Sequence, residues 1–485
     1  MVLNAPFIHL FKIAGSFYFY DVNRNSILKV QKSLWELLKK QQHQSNQEVQ
    51  WQDNENNSIV EKMREQGFLS SNRVKEILHP ADEILVYHLD NKIQMLTLQV
   101  TQQCNLRCNY CVYSGDYHNR QHSNNKMSFE TAKKAIDFLI SHSNDNRYIS
   151  LGFYGGEPLI EFDLIKRCIE YAKVRGLGKE LMFSITTNGT LMDDEIIEYL
   201  ENNNVSLMIS LDGPKEIQDK NRKFAFNNCG TFDKVMENVK RVKNKFPEYY
   251  KKIAFSAVID PKNDFSCINT FFSTDEIIGD HTVMSSVVSD NYSKSEEKYN
   301  EDFSIKYNYE YFKILLCELN RLDRKYISKF VDRRFSDLKR TYRQLTPSDK
   351  VPEKTQHSGP CIPGAQRLFI TTEGKFYPCE KVSEMSEVIR IGDLEKGFNI
   401  DKVRAMLNIG KITEDKCKNC WAFRFCKLCA VFSDEMTQLS SDKKTSYCDS
   451  IKQDAESMLK DICMLKDMNY DFSGISNTKY NVFNL

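Results

Sequence analysis

Strand-like and helix-like stretches alternate along residues 92–288, and this alternation constrains the possible folds more than any other feature. The apolar runs predict six strands, at Met95–Thr101, Tyr148–Tyr154, Leu181–Thr187, Val205–Leu211, Ile253–Ile259 and Thr282–Val288. The segments between them predict helices at Ser128–His142, Glu161–Arg175, Asp193–Asn203, Thr231–Lys245 and Phe265–Phe272. Repeated strand–helix units form a parallel sheet that helices cover, and ligands bind at the carboxyl ends of its strands. We therefore expect an α/β fold whose functional residues lie in the turns after strands.

Three cysteines follow the first predicted strand directly. Cys104, Cys108 and Cys111 stand in the letters CNLRCNYC, a CxxxCxxC spacing. Three thiolates this close can hold three irons of a four-iron cluster, and the fourth iron then keeps an open position for a small molecule. A zinc site is the alternative, because His118 or His122 can supply a fourth ligand.

A glycine-rich turn, Gly155-Gly156-Glu157-Pro158, follows the second predicted strand. Two adjacent glycines make a tight turn with exposed backbone amides and carbonyls. Such a surface can bind a zwitterion, because its carbonyls accept from an ammonium and its amides face a carboxylate. The segments 186–189 and 212–214 also follow strands, so four polar turns are expected to meet at one rim.

Together, these motifs resemble those of the radical SAM superfamily, whose fold is a partial (βα)6 barrel. The resemblance implies that the open iron of a 4Fe–4S cluster on the three cysteines chelates S-adenosyl-L-methionine (SAM), while the turn at 155–158 holds the methionine amine. It also implies that Tyr110 packs near the adenine and that Thr187 and Asn188 line the ribose region. By the same resemblance, Ser210 and Arg222 match residues that hold the ribose and the carboxylate.

A second group of cysteines lies near the end of the chain: Cys361, Cys379, Cys417, Cys420, Cys426, Cys429 and Cys448. Their order, with Gly374 before Cys379, resembles the seven-cysteine auxiliary-cluster extension called SPASM. One departure is that two residues separate Cys426 from Cys429, where the family usually has three. A structural zinc site is the alternative for the CxxC pairs.

The SPASM resemblance implies two auxiliary 4Fe–4S clusters, and therefore three clusters in the whole chain. Cys417, Cys420, Cys426 and Cys448 would close one cluster remote from SAM. Cys361, Cys379 and Cys429 would hold the other, nearer the barrel mouth, with an iron left open for a substrate thiolate. Glu380 follows Cys379, and formylglycine-forming relatives carry a catalytic base at this position.

The first part of the chain predicts three short strands, at residues 7–13, 16–20 and 27–30, and then two helices. The first helix is expected to start with Ser33 as its N-cap, and the second to run from Ile59 to near Gly67, with a polar loop over residues 41–57 between them. This pattern looks like the winged-helix-like element of peptide-modifying enzymes, which takes a leader peptide as an added strand. A structural cap on the barrel is the alternative.

These observations predict five regions. Residues 1–75 would form the winged-helix-like recognition element, 92–288 the radical SAM partial barrel and 289–357 a helical bridge. Residues 358–450 would form the SPASM domain, and 451–485 a C-terminal helix and tail.

Composition excludes several other classes of protein. Lys and Arg number 67 against 66 Asp and Glu, so the net charge of +1 predicts no binding to nucleic acid. No apolar run approaches the roughly 20 residues of a membrane span, and residues 1–10 lack the features of a signal peptide. We therefore expect a cytoplasmic protein without membrane association, whose 15 cysteines are reduced thiols available to metal.

The family resemblance implies an enzyme that modifies a ribosomally made precursor peptide. A reductant such as flavodoxin or ferredoxin would reduce the SAM-bound cluster, and a 5′-deoxyadenosyl radical would take hydrogen from the peptide. The expected product is a thioether from a cysteine sulfur to carbon, as in sactipeptide and ranthipeptide maturases. Carbon–carbon cross-linking and formylglycine formation on a sulfatase are the alternative reactions. An iron–sulfur electron carrier is the non-enzymatic alternative.

Overall fold

The N-terminal region is a three-stranded antiparallel sheet with two helices on one face. The computed structural model describes residues 5–43, 54–113, 115, 117–118, 120–288, 291–294, 301–357, 359 and 361–473. Strands β1 (Ile8–Ile13), β2 (Ser16–Asp21) and β3 (Ser26–Val30) pair in that order, followed by helices α1 (Lys32–His43) and α2 (Asn54–Glu65). The helices pack on Ile8 and Phe19 through Leu34, Leu38 and Val60. The three predicted strands are therefore confirmed.

Two helix boundaries in this region differ from the prediction. Helix α1 starts at Lys32, so Ser33 lies within its first turn and is not the N-cap. The predicted loop over residues 41–57 is helical at both ends, and residues 44–53 lie outside the described part of the chain. The extension of α1 has a tertiary cause, since the Gln42 side chain donates to the Ile8 carbonyl at 2.8 Å.

The central region contains the predicted parallel sheet. The strands of the central region are β4 (Glu76–Ile77), β5 (Met95–Thr101), β6 (Leu106–Cys108), β7 (Tyr148–Gly155), β8 (Glu180–Thr187), β9 (Ser206–Ser210), β10 (Arg222–Phe224), β11 (Ala254–Ile259) and β12 (Thr282–Val287), of which β4, β6 and β10 lie outside the parallel sheet. Its helices are α3 (Leu85–Asn91), α4 (Phe129–Ser141), α5 (Phe162–Arg175), α6 (Asp194–Asn202), α7 (Lys215–Asn221), α8 (Phe232–Lys245), α9 (Pro247–Tyr250) and α10 (Phe265–Thr274). Strands β5, β7, β8, β9, β11 and β12 are parallel neighbours in that order, which confirms the α/β partial barrel.

The two faces of the barrel strands differ in polarity. On β5, Leu96, Leu98 and Val100 are fully buried, and they belong to the same apolar core as the α4 residues Ala132, Ala135, Ile136 and Leu139. The alternate face carries small polar groups: a Cβ placed on Gly152 would lie 3.2 Å from Ser184 Oγ and 3.4 Å from Thr97 Oγ1. Because successive side chains of a strand point to opposite faces, the apolar face meets helices while the barrel interior is polar.

The C-terminal region extends the barrel sheet rather than forming a separate one. Its strands are β13 (Lys354–Thr355), β14 (Leu368–Ile370), β15 (Lys375–Tyr377), β16 (Gly392–Asp393) and β17 (Gly397–Phe398). Its helices are α11 (Glu301–Glu318), α12 (Asp332–Gln344), α13 (Ile400–Leu407), α14 (Glu414–Lys418), α15 (Ser441–Ser446) and α16 (Cys448–Asp467). Strand β14 pairs in parallel with β5, and β15, β16 and β17 follow in antiparallel order, so the sheet has ten strands.

The N-terminal sheet packs on the C-terminal region. Phe11, Tyr18 and Tyr20 share an apolar cluster with Phe425 and with Leu459 of α16. The His9 ring stacks on Trp421 with 3.6 Å between centroids. Helices α11 and α12, which lie in the predicted bridging region, also pack on α16. No helix in the described ranges is long and apolar enough to cross a membrane.

Candidate active site

The structure brings the three cysteines of the first motif together after β5. Cys108 is buried on β6, while Cys104 and Cys111 are partly exposed. Burial raises the pKa of Cys104 to about 12, with smaller contributions from Glu157, Cys108 and Cys111. The amides of Leu106 and Tyr113 donate to the sulfurs of Cys104 and Cys111, each at 3.4 Å. The three thiols therefore lie within electrostatic range of one another and receive backbone donors.

The turn at residues 155–158 holds the cysteine loop, which corrects the expectation that its amides are exposed. The Gly156 amide donates to the Thr101 carbonyl at 2.9 Å, and the Glu157 amide donates to the Gln103 carbonyl at 2.8 Å. A Cβ on Gly155 would lie 2.2 Å from the Thr101 oxygen, and one on Gly156 would lie 2.0 Å from the Gln103 oxygen. The glycines are required because the two backbone segments touch, and Pro158 then opens a short 3-10 turn.

Glu157 joins the ends of two neighbouring barrel strands. Its buried carboxylate accepts from Thr187 Oγ1 at 2.7 Å, from the Asn188 amide at 2.7 Å and from the Leu159 amide at 3.1 Å. Burial raises the pKa of Glu157 to about 7, although these hydrogen bonds act in the opposite direction. Thr187, expected at the ribose, therefore uses its hydroxyl to hold Glu157.

Asn188 lies beside the first cysteine of the motif. Its Nδ2 donates to Asn105 Oδ1 at 2.8 Å and lies 3.9 Å from Cys104 Sγ. Thr190 closes this small polar network, since it accepts from Asn105 Nδ2 at 2.8 Å and donates to Asn188 Oδ1 at 2.7 Å. The network fixes the cysteine loop against the turn that follows β8.

Arg222 is paired with Asp212, so its guanidinium is not the free carboxylate-binding fork that the sequence predicted. Arg222 Nε and Nη2 donate to the two Asp212 oxygens at 2.9 and 3.1 Å, and both side chains are buried. Tyr110 also donates its hydroxyl to Asp212. The physical reason is that a buried carboxylate must be neutralised, and Arg222 is the cation within reach. Ser210 ends β9, in register with Ser256 of β11.

A buried polar cluster that the sequence did not indicate joins the cysteine loop to the C-terminal region. Arg120 Nε lies 2.7 Å from Glu384 Oε1, and Gln99 Nε2 donates to the same oxygen at 2.7 Å. Gln99 also donates to the Tyr113 hydroxyl at 2.7 Å, and Arg120 Nη2 donates to the Glu380 carbonyl at 2.6 Å. No motif marks Arg120 or Glu384, so only the folded chain reveals their pairing.

Cys361, Cys379 and Cys429 form a second thiol group, here called the near group. Burial raises the pKa of Cys379 to about 12, with smaller effects from Glu380, Cys361 and Cys429. The Arg120 contact with the Glu380 carbonyl ties this group to the barrel. The Glu380 carboxylate itself accepts from Arg367 Nη1 at 3.2 Å, so it is already engaged in an ion pair.

Cys417, Cys420, Cys426 and Cys448 form a third set, here called the distal group. Burial raises the pKa of Cys420 to about 11, and Cys417 and Cys448 add to this effect. Burial likewise raises the pKa of Cys426 to about 12, with Cys420 and Cys417 contributing. These pKa effects connect cysteines within the distal group, as they do within the first motif and the near group.

The surroundings of the cysteine sets limit which metal sites they can form. Among the residues that the structure describes, no group of three or more His, Cys, Asp or Glu side chains is arranged to hold one metal ion. His122, a possible zinc ligand, has Nδ1 3.1 Å from the Gln102 carbonyl. A cavity of about 430 Å³ lies beside Cys104 and leaves room next to that thiol. Thiolates with nearby amide donors are the ligands that such clusters use.

Comparison with known families supports an iron–sulfur cluster on the cysteines of the first motif. Residues 98–270 match the family described as the Radical SAM superfamily. This range contains the three cysteines of the first motif, the turn at 155–158 and the Asp212–Arg222 pair. The chain therefore contains a radical SAM domain and is an enzyme, and SAM and an iron–sulfur cluster are the cofactors of this class.

Similar proteins have several activities. A cysteine-type anaerobic sulfatase-maturating enzyme of Clostridium novyi is 25% identical over 382 residues, which cover 74% of this chain and 93% of that protein. The radical SAM cyclopropyl synthase TigE of Paramaledivibacter caminithermalis is 30% identical over 43% of this chain and 45% of its own length. An uncharacterised protein of Methanocaldococcus jannaschii is 36% identical over 28% of this chain and 45% of its own length. The chain thus spans less than half of the last two relatives.

A solved structure supports the fold. The structure described as "Native anSMEcpe with bound AdoMet and Cp18Cys peptide" has a TM-score of 0.56 at 20% identity. The match covers 77% of this chain and 99% of that chain, so about a quarter of the present chain lies outside it.

Proposed function

We propose that this enzyme binds the leader of a ribosomally made precursor peptide and installs thioether cross-links from cysteine sulfur to carbon. The near group carries the proposal, because Cys429 acts on the pKa values of both Cys361 and Cys379, so these three thiols lie close together. Three thiolates leave one ligand position of a four-iron cluster to a substrate, and a substrate cysteine supplies a matching donor.

The residues of the first motif would hold the SAM-binding cluster, and their neighbours would keep it in place. When bound, SAM and its cluster supply a 5′-deoxyadenosyl radical that removes a hydrogen atom from carbon. Glu157 and Asn188 hold the cysteine loop from the ends of two strands. Arg120 links this loop to the segment after Cys379, so one buried cation orients the two cluster regions towards each other.

Thioether formation requires a balanced removal of electrons. The carbon loses one hydrogen atom to the deoxyadenosyl radical, and the thiol loses one proton and one electron as the carbon–sulfur bond forms. The two auxiliary groups offer an acceptor for that electron, and the near group is tied to the barrel through Arg120. That the chain holds three clusters is part of this proposal.

The outer edge of β3 is the proposed leader-binding strand. No described strand pairs with this edge, whereas the other edge strand, β1, has the Ile8 carbonyl bound by Gln42. Leu28 and Val30 of β3 are partly buried and pack with Leu34 and Leu38 of α1. An exposed strand edge beside apolar side chains is suited to take an extended peptide as an added strand.

Removal of residues before Ser71 is an unsuitable test of leader binding, because it would also strip the aromatic cluster around Phe425. Leu28→Glu places a charge beside the β3 edge, and Leu10→Glu is the matched control on β1, where Leu10 packs on the same apolar cluster. We expect Leu28→Glu to abolish leader binding in a fluorescence titration, and Leu10→Glu to retain it. If both variants bind the leader equally well, the N-terminal sheet has only a structural role.

Formylglycine formation on a sulfatase is the second candidate, because the Clostridium novyi relative matches over 93% of its length. A base at position 380 would serve that reaction, but the Glu380 carboxylate is held by Arg367 in an ion pair. Incubation with a cysteine-rich precursor and with a sulfatase peptide separates the two functions by product mass. Thioether formation conserves all atoms except two hydrogens, whereas formylglycine formation removes sulfur.

A further inference from the structure

A buried lysine lies among the cysteines of the distal group. Lys444, on α15, is only 2% exposed. Its ammonium donates to Thr413 Oγ1 at 2.7 Å and lies 3.8 Å from Cys417 Sγ. Thr413 Oγ1 is itself 3.2 Å from that sulfur. In the ranges that the structure covers, no carboxylate forms an ion pair with Lys444.

A buried ammonium is costly unless a negative charge lies nearby. The thiols of the distal group are the groups placed to supply it. The Lys444 charge opposes the burial that raises the pKa values of Cys426 and Cys448. Lys444 is therefore placed where the negative charge of a thiolate-ligated cluster would neutralise it.

We propose that Lys444 is the counter-cation of an iron–sulfur cluster on the distal group and raises the reduction potential of that cluster. The inference rests on the part of the proposed function that assigns a cluster to these cysteines. Four thiolates make the cluster anionic, and one-electron reduction adds one negative charge without a proton. A buried cation stabilises the reduced state more than the oxidised state, so electrons flow more readily to this cluster.

The test is a redox titration with mediators and dithionite, followed by electron paramagnetic resonance. It uses the full chain with Cys104, Cys108 and Cys111 replaced by Ala, which removes the signal of the SAM-binding cluster. The distal signal is the one that persists when the near-group cysteines are also replaced by Ala. Lys444→Met removes the charge, and Lys444→Arg retains it.

Lys452→Met is the matched control. Lys452 acts on the pKa values of Cys420 and Cys448, but its side chain is 41% exposed and pairs with Asp449. Because water screens an exposed charge, the control should leave the distal potential unchanged.

We expect Lys444→Met to lower the ratio of reduced to oxidised distal cluster about tenfold at a fixed potential, equivalent to about 59 mV for a one-electron couple. Lys444→Arg should restore the wild-type ratio. A wild-type ratio in Lys444→Met, or an equal loss in Lys444→Arg, would refute the role of the charge.

A variant that fails to assemble the cluster is also informative. If Lys444→Met holds no iron in the distal group, Lys444→Arg must restore the iron and Lys444→Gln must not. Full iron in Lys444→Gln would show that Lys444 acts through its hydrogen bond to Thr413, and the proposal would fail. Zinc in the wild-type distal group would overturn the cluster assignment as well, whereas an unchanged potential would leave the peptide chemistry unaffected.

Discussion

Replacement of Arg120 by Met should destabilise the barrel strongly, because it leaves Glu384 buried without its cation. The side chains of this ion pair are 1% and 9% exposed. Removal of one partner of a buried pair costs about 3–5 kcal/mol, and we expect the lower end because Gln99 still donates to Glu384 at 2.7 Å. A loss of about 3 kcal/mol lowers the melting temperature of a domain of this size by roughly 6–12 °C.

The assay is thermal unfolding of the full chain with its clusters intact, with the barrel transition followed by circular dichroism. Arg175→Met is the control, since the Arg175–Asp137 pair has the same kind of groups at 2.8 Å but is 53% and 40% exposed. That variant should change the free energy of unfolding by less than about 1 kcal/mol. The double variant Arg120→Met, Glu384→Gln should recover part of the loss, because no unpaired charge remains. If Arg120→Met has the same melting temperature as the control variant, Arg120 does not neutralise Glu384 and the argument fails.

Three further predictions concern cluster binding and pH. Replacement of Cys104, Cys108 and Cys111 by Ala should leave roughly eight of 12 irons and abolish SAM cleavage, measured by iron assay and chromatography; retained cleavage would refute the assignment. Gly156→Ala should also reduce iron and cleavage, because its Cβ would lie 2.0 Å from a carbonyl oxygen of the cysteine loop; wild-type iron content would contradict this. Burial raises the pKa of Asp461 in the folded protein above its pKa in the unfolded chain, which is near 3.9. Ionisation of Asp461 therefore lowers the stability of the folded protein as the pH rises above about 3.9. The melting temperature of Asp461→Asn should therefore rise relative to wild type across that range, and a constant difference would exclude the effect.

Local patterns in the sequence predicted most of the barrel. The predicted strand Met95–Thr101 has the observed bounds, and the other five barrel strands differ by one residue at an end in most cases. This success has a physical basis, because apolar runs bounded by polar turns have few alternatives to a buried parallel strand. The polar segment after α1 was less predictable, since its helical ends depend on tertiary contacts such as that of Gln42.

The partners of the polar side chains were the least predictable part of the site. Sequence placed Arg222 near the expected SAM carboxylate, but the folded chain pairs it with Asp212. It also placed the amides of the glycine turn in the open, where the structure uses them to hold the cysteine loop. Each residue lies in the expected region, yet its hydrogen-bond partner follows from burial and competition among nearby groups.

The sequence alone indicated a radical SAM domain, because the spacing of Cys104, Cys108 and Cys111 and the glycine turn at 155–158 are local patterns. The division of the other seven cysteines into a near and a distal group follows from a family resemblance, since Cys361, Cys379 and Cys429 are far apart in the chain. Only the tertiary structure decided how those sets are connected: β14 joins the sheet beside β5, Arg120 meets Glu384, and Lys444 lies among the distal thiols. These contacts join residues far apart in the chain, so they depend on the packing of the whole molecule, which no local pattern encodes.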